Sequence, residues 1–98
     1  MSCYFIALID IHNEDGYNEY VAGFDEIFER FRGRVLTVED KPQVLEGIWP
    51  AGRTVIIEFP NEAELRRWYE SPEYQRLAMR RRAASDGSIA IVSGSEDG

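Results

Sequence analysis

Residues 44–82 constrain the fold of this chain more than any other part of the sequence. A turn around Trp49 leads into an apolar strand, the strand stops at Pro60, and a helix rich in aromatic residues and arginine follows. That helix is interrupted at Ser71 and Pro72, a pair that suits the start of a second helical segment because proline is favoured at the first helical position. The order predicts a strand followed by two consecutive helical segments, which is half of a mixed α and β fold.

The rest of the chain supplies the elements that complete this fold. Apolar residues at three- and four-residue steps after residue 16 predict an amphipathic helix that ends at Gly33, a favoured residue at a helix C-terminus. Asn61, which is followed by Glu64, and Ser71 are predicted to cap the two later helical segments. The predicted strands are residues 4–11, 34–39, 54–59 and 88–92, with a turn at 85–87 and a short extended piece at 43–46.

The element order βαβ-βαβ is the split pattern of the ferredoxin-like fold. We therefore predict the α+β class: a ferredoxin-like βαββαβ sandwich with helices on one face of an antiparallel sheet. Residues 1–94 are expected to form one domain and residues 95–98 a flexible tail. Strands 4–11 and 54–59 are apolar on both faces. A second copy of the chain is therefore expected to cover the face that the helices leave open, in a homodimer that packs sheet to sheet.

The charge and composition argue against several classes of function. The formal charge of −7 disfavours binding to nucleic acid or to an anionic membrane, since both require positive charge. No apolar run approaches the roughly 20 residues that span a bilayer, and the first residues read as a strand rather than as a signal peptide. The single cysteine, Cys3, is expected to be a buried thiol, which favours a reducing cytoplasm.

Glu58 is the most unusual residue of strand 54–59, because the segment is otherwise suited to burial. A buried carboxylate is costly unless it is paired, so Glu58 is expected to be paired or to line a polar cavity, with Arg53 and Arg81 as candidate partners. One interpretation is structural, either a buried ion pair that ties the strand to a helix or a strand-end residue in solvent. The other is functional, a catalytic base with a raised pKa.

Arg81 shares one face of the last helical segment with Tyr74 and Ala78, so it is expected to point toward the core. An inward guanidinium suits a substrate carboxylate, which it binds in fork geometry. It can equally pair with Glu46 or Glu58, and the sequence leaves both interpretations open.

Four further residues carry alternative interpretations. Trp49, in a turn next to Pro50, is a candidate contact for a ligand or a partner subunit, whereas Trp68 and Tyr74 stand at helical spacing and favour the core. His12, at the exit of the first strand, is a candidate general acid or base or a solvated capping residue. One histidine without a cysteine pair gives no metal-ligand pattern, and no cofactor is expected.

A set of residues spread over about residues 4–94 resembles the pattern of a known family. These residues are Tyr17, Tyr20, Leu45-Glu46-Gly47 with Trp49, Arg53, Glu58-Phe59-Pro60, Trp68-Tyr69, Ser71-Pro72, Tyr74, Arg81 and Gly94. The chain resembles the domain of unknown function 1330 family, within the dimeric α/β-barrel superfamily. The resemblance implies a ferredoxin-like protomer and a dimer whose two sheets close into a barrel, and it implies no reaction. Relatives elsewhere in that superfamily include cofactor-free monooxygenases, muconolactone-type isomerases and chlorite-dismutase-like haem proteins, and a haem ligand here would have to be His12.

Two functional hypotheses follow, and the sequence leaves open whether the protein is an enzyme. The first is a cytoplasmic homodimer that binds a small organic anion or an aromatic metabolite between sheet and helices. Any chemistry would be cofactor-free isomerisation, proton transfer or oxygenation, with Glu58 or His12 as the base. The second is a non-catalytic dimeric module for ligand sensing or protein interaction. The predicted ligand contacts are Arg81, Arg53, Glu46, Trp49 and Tyr74.

Overall fold

The computed structural model describes residues 2–50 and 52–95 and has the ferredoxin-like architecture. Its elements are β1 (Cys3–Ile11), α1 (Glu14–Phe28), β2 (Arg34–Glu39), β3 (Arg53–Phe59), α2 (Glu62–Tyr69), α3 (Pro72–Ala84) and β4 (Ser85–Ser93). The strands form one sheet in the order β2-β3-β1-β4, and each neighbouring pair is antiparallel. The predicted α+β class is confirmed.

The register of the sheet defines its two faces. Phe5 of β1 lies opposite Ile57 of β3, and residues paired in this way point to the same face. Trp68 of α2 packs on Phe5 with ring centroids 5.1 Å apart, so the helices cover this face. The alternate residues point to the other face, here called the open face. The open face includes Tyr4, Ile6, Leu8, Thr54, Ile56, Glu58 and Val92.

Trp68 lies at the centre of the core. It is fully buried, and its ring centroid lies 4.3 Å from that of Tyr74 and 5.4 Å from that of Phe59. Such aromatic pairs contribute about 0.5–1.5 kcal/mol each beyond the burial of their surface. The interpretation of Trp68 and Tyr74 as core residues is confirmed.

Two of the helix starts match the predicted capping residues. The Asn61 side chain accepts a hydrogen bond from the backbone N–H of Glu64 at 2.9 Å. The Ser71 hydroxyl accepts one from the backbone N–H of Tyr74 at 3.2 Å, with Pro72 in the first turn. Each bond satisfies a donor that a helix N-terminus leaves free, so both predicted caps are confirmed.

The prediction that Gly33 ends the first helix is wrong. The helix α1 stops at Phe28, with Glu29 as its C-terminal cap, and Gly33 does not adopt the positive φ of a capping glycine. A side chain is excluded at Gly33 for another reason, since a Cβ there would lie 2.6 Å from the rings of Phe28 and Phe59.

The predicted boundaries around the last strand are also wrong. β4 begins at Ser85 directly after α3, without the predicted turn at residues 85–87, and Ser85 pairs with Ile11 of β1. The carbonyl of Ala84 accepts hydrogen bonds from the backbone N–H groups of His12 and Asn13, at 3.0 and 3.1 Å. These bonds join the end of α3 to the connection between β1 and α1. The predicted extended piece at residues 43–46 is exposed loop, because it joins no strand of the described sheet.

Three further expectations concern burial and the chain ends. Cys3 is buried as predicted, at 3% exposure. No helix in the described part of the chain is long and apolar enough to cross a membrane. Residues 96–98 of the predicted tail lie outside the described residues.

Candidate ligand-binding site

A cavity of about 300 Å³ lies between α1 and the helix-covered face of the sheet. Its apolar wall includes Phe5, Val21, Phe24, Val55, Ile57 and Ile89. Its polar lining side chains are Tyr17, Tyr20, Asp25, Arg53 and Arg81. An apolar wall with a few polar groups, at the lower end of the usual volume range, is typical of a site for a small molecule.

Arg81 is the buried cation of this cavity. It lies on the face of α3 that also buries Tyr74 and Ala78, and it is 6% exposed. Its Nε and Nη2 atoms are buried without a hydrogen-bond partner among the described residues. Its Cζ lies 5.8 Å from the ring centroid of Tyr20, close enough for a cation–π contact. The guanidinium therefore keeps two N–H donor groups that the described residues leave unsatisfied.

The pKa of Arg81 is raised, so its charge is permanent. Burial lowers the pKa, and the neighbouring phenol groups of Tyr74 and Tyr20 raise it by more. A permanent charge in an apolar setting is costly unless an anion or several hydrogen bonds compensate it. Arg81 is therefore the strongest indication of a ligand in the cavity.

Two tyrosine hydroxyls meet beside this guanidinium. The Tyr20 and Tyr74 oxygens are 2.7 Å apart and buried. Burial and the neighbouring Tyr74 raise the pKa of Tyr20 well above its ordinary value. The Tyr20 phenol is therefore neutral at physiological pH. Since one hydroxyl donates to the other, the accepting one keeps an O–H proton that it can donate elsewhere.

Arg53 is the second cation on the wall, and its charge is already compensated. Its Nε and Nη2 donate to the two carboxylate oxygens of Asp40, at 2.6 and 3.1 Å. This bidentate bond holds the pKa of Asp40 below its usual range and raises that of Arg53. The Arg53 Cζ also lies 5.2 Å from the ring centroid of Tyr17.

Residues 2–95 match the family described as domain of unknown function 1330 (DUF1330). The chain belongs to that family. The match spans nearly the whole chain, as the sequence resemblance predicted, and DUF1330 carries no defined reaction. No curated protein matches this chain.

Solved structures share the fold of this DUF1330 protein. A protein of unknown function from Rhodopseudomonas palustris, RPA0582, superimposes with a TM-score of 0.79 at 18% identity, over 97% of this chain and 83% of that one. SnoaB, a cofactor-independent oxygenase from Streptomyces nogalater, gives 0.67 at 18% identity, over 97% and 94%. A dimeric ferredoxin-like protein of unknown function from Thermobifida fusca gives 0.65 at 10% identity, over 95% and 91%. At these identities the likeness shows the fold alone.

Glu58 does not share a site with Arg81, because its side chain lies on the open face. It accepts a hydrogen bond from Arg34 at 2.8 Å, and the Tyr4 hydroxyl lies 3.4 Å away. Hydrogen bonds from Ser2, Arg34 and Tyr4 hold the pKa of Glu58 below its usual range. This direction is opposite to the raised pKa predicted for a base. Glu58 therefore forms an ion pair, but with Arg34 of the neighbouring strand β2 rather than with Arg53 or Arg81, the predicted partners.

The other predicted site residues do not line the cavity. His12 and Glu46 are exposed, and neither lines the cavity. Trp49 turns toward the open face, where its Nε1 donates to Thr54 at 3.1 Å. Tyr74 is fully buried behind Tyr20 rather than on the cavity wall. The described residues hold no group of three His, Cys, Asp or Glu side chains that could bind a metal ion.

Sequence reasoning missed Tyr17 and Tyr20 as cavity residues and Asp40 as the partner of Arg53. The two tyrosines stand among apolar residues of one helix face, and that pattern alone favours packing in the core. A hydroxyl on a buried helix face needs a hydrogen-bond partner, and that requirement is the signal that could have identified Tyr20. Nothing in the sequence relates Asp40 to Arg53, because their proximity depends on the register of β2 with β3.

Proposed function

We propose that the protein binds a small organic anion or an aromatic metabolite in the cavity, and that Arg81 holds the anionic group. The observation that carries the proposal is the buried guanidinium, whose Nε and Nη2 find no partner among residues 2–50 and 52–95. Removing one partner of a buried ion pair is strongly destabilising, because it leaves a charge without compensation. A ligand carboxylate or oxyanion supplies that compensation through charge-assisted hydrogen bonds.

The cavity wall favours a flat, apolar ligand body. Phe24 and Tyr20 present aromatic surface, with their ring centroids 6.0 Å apart, and Ile57 lies on the sheet side. An aromatic ring gains dispersion and quadrupole interactions from such neighbours. The Tyr20 hydroxyl adds a polar contact beside the guanidinium.

Calorimetric titration with benzoate tests this function. Arg81→Met removes the charge and keeps a long apolar side chain, so the helix face remains packed. Arg80→Met is the matched control, because Arg80 is a neighbouring exposed arginine whose ion pair is with Glu19. Benzoate should bind the wild type and Arg80→Met equally and Arg81→Met at least about tenfold more weakly, which is about 1.4 kcal/mol. Equal binding by all three proteins, or none by the wild type, would refute the anion site.

A non-catalytic role in ligand sensing or protein interaction is the second candidate. It is favoured by one observation, that among the described residues Asp25 is the one carboxylate on the cavity wall, and Asp25 is itself exposed. Neither predicted base, Glu58 or His12, lines the cavity. A cofactor-free isomerase or monooxygenase would need a base at the ligand, and the likeness to SnoaB concerns the fold.

Oxygen uptake and solvent deuterium exchange separate these two roles. An enzyme of either kind should consume oxygen with a bound phenol, or exchange a proton of a bound enolisable acid, and Arg81→Met should lose that activity. A sensor should bind the same compounds without either change. The enzyme role fails if every compound that binds is recovered unchanged.

A homodimer formed through the open face is the proposed assembly. Tyr4, Ile6 and Leu8 of β1 form an apolar row on that face without a covering helix. Leu45 and Ile48, in the loop before β3, are 94% and 96% exposed. The β1 row is only half-buried in the protomer, and apolar surface that is left without a cover is characteristic of interfaces. A second copy would bury the row in a cytoplasmic dimer, and the T. fusca protein with this fold is described as dimeric.

Light scattering coupled to gel filtration measures the mass of this assembly. Ile6→Arg places a charge in the centre of the open face and should shift the dimer toward monomers. Met79→Arg is the control, because Met79 is 65% exposed on α3, away from the sheet. A wild-type protein of monomeric mass at micromolar concentration would contradict the dimer.

A further inference from the structure

The two arginines of the cavity wall differ in their charge compensation. Arg53 donates to both oxygens of Asp40, at 2.6 and 3.1 Å, in a bidentate ion pair. Arg81 forms no ion pair with any described residue, and it is the more deeply buried of the two. The cavity wall therefore holds two arginines, one whose charge is compensated by a carboxylate and one whose charge is not.

The two guanidinium groups lie on adjacent tyrosines of α1. Arg53 stacks on Tyr17 and Arg81 on Tyr20, at 5.2 and 5.8 Å from the ring centroids. The two ring centroids are 5.5 Å apart. Both cations therefore lie against neighbouring rings of the same wall, and a ligand in the cavity shares that wall with Arg53 as well as with Arg81.

This pairing determines how much negative charge on a ligand the cavity can compensate. Asp40 cancels the charge of Arg53, and Arg81 supplies one positive charge. The remaining charged group that residues 2–50 and 52–95 place on the wall is Asp25, which is negative and would repel an anion. A second negative charge on a ligand would therefore enter an apolar cavity without a free cation, and an unpaired buried charge is strongly disfavoured.

We propose that the Asp40–Arg53 pair restricts the cavity to monoanions, such as aromatic monocarboxylates and phenolates, and excludes dianions such as dicarboxylates and phosphate monoesters. This inference rests on the proposed function, because both place the ligand anion on Arg81. It adds Asp40 as a residue that determines ligand specificity without contacting the anion, which binds to Arg81. Asp40 excludes dianions because it pairs with Arg53 and so leaves that cation unable to compensate a second negative charge on the ligand.

Benzoate and isophthalate, which share a ring and differ by one carboxylate, are the probes for this selectivity. The wild type should bind benzoate at least about tenfold more tightly than isophthalate, a difference of about 1.4 kcal/mol. Asp40→Asn keeps the shape of the side chain and removes its charge, which frees the charge of Arg53. Isophthalate should then bind at least about tenfold more tightly than to the wild type, while benzoate affinity changes little.

Glu39→Gln is the matched control, since it removes one negative charge from the adjacent exposed position. The Glu39 carboxylate accepts only the backbone N–H of Lys41 among the described contacts. A gain in isophthalate binding for both variants would assign the effect to the net charge of the protein and overturn the inference. Equal affinity of the wild type for the two probes, or no gain in Asp40→Asn, would also overturn it and leave the anion site standing. Failure of the wild type to bind either probe would overturn the proposed function and the inference together.

Discussion

Replacing Arg81 with methionine should make the free protein more stable while it abolishes anion binding. The guanidinium is 6% exposed and has no carboxylate partner among the described residues. Replacing buried ionic groups with apolar side chains of similar volume is often neutral or stabilises by about 1–4 kcal/mol. The cation–π contact with Tyr20 that is lost contributes about 0.5–2 kcal/mol, and a methionine sulfur near the same ring returns about 0.3–1.5 kcal/mol. We expect a net gain of about 1–3 kcal/mol.

Urea denaturation followed by tryptophan fluorescence measures this change. Trp68 lies in the core, so its emission reports unfolding of the structure around the cavity. The midpoint should rise in Arg81→Met with an unchanged slope, and the thermal midpoint should rise by at least about 4 °C, the shift that about 1 kcal/mol produces in a domain of this size. In the presence of benzoate the wild type should gain stability and the variant should not. A loss of more than about 1 kcal/mol in the free variant would show that the charge of Arg81 is compensated within the protein, and it would refute the reasoning.

Three further outcomes follow from the described contacts. Tyr20→Phe and Tyr74→Phe each leave a buried hydroxyl without its partner, which should cost about 1–3 kcal/mol of unfolding free energy. The double variant should lose less than the sum of the two single losses. Additive losses in a double-mutant cycle would contradict the 2.7 Å contact between the two hydroxyl oxygens. Trp68→Ala should lower the unfolding free energy by about 3–5 kcal/mol, because it empties the centre of the core; a loss below about 1 kcal/mol in urea titration would show that the aromatic cluster is not packed as described. The folded pKa of Glu58 lies below its ordinary value of 4.5, so its contribution to stability is complete above that value and is lost as the pH falls through the folded pKa. Thermal midpoints of Glu58→Gln should therefore depend less on pH in the acid range than those of the wild type, and equal slopes would argue against the Arg34 contact.

The fold was predictable because local signals agree along most of the chain. Alternating apolar residues, the strand that stops at Pro60 and the capping residues Asn61 and Ser71 all indicate the same order of elements. The errors fell at Gly33 and Ser85, where tertiary contacts decide the boundary. Gly33 lies against two aromatic rings rather than capping α1, and Ser85 is held in the sheet by its pairing with β1.

The candidate site was predictable only in part, because strand patterns do not show which face the helices cover. The inward position of Arg81 followed from helical spacing, and the structure buries it. The strands β1 and β3 are apolar on both faces, so the sequence could not show that Glu58 and Arg81 lie on opposite sides of the sheet. The compensation of Arg53 by Asp40 depends on strand register, which spacing within a single segment does not encode.

The most direct test of the anion site is the crystal structure of the protein with 4-bromobenzoate, located by the anomalous signal of bromine. We expect the carboxylate within about 2.7–2.9 Å of the Arg81 guanidinium nitrogens, with the ring in the cavity between Phe24 and Ile57. A carboxylate bound outside the cavity, or a cavity filled by side chains with Arg81 paired to a carboxylate of its own chain, would contradict the central claim.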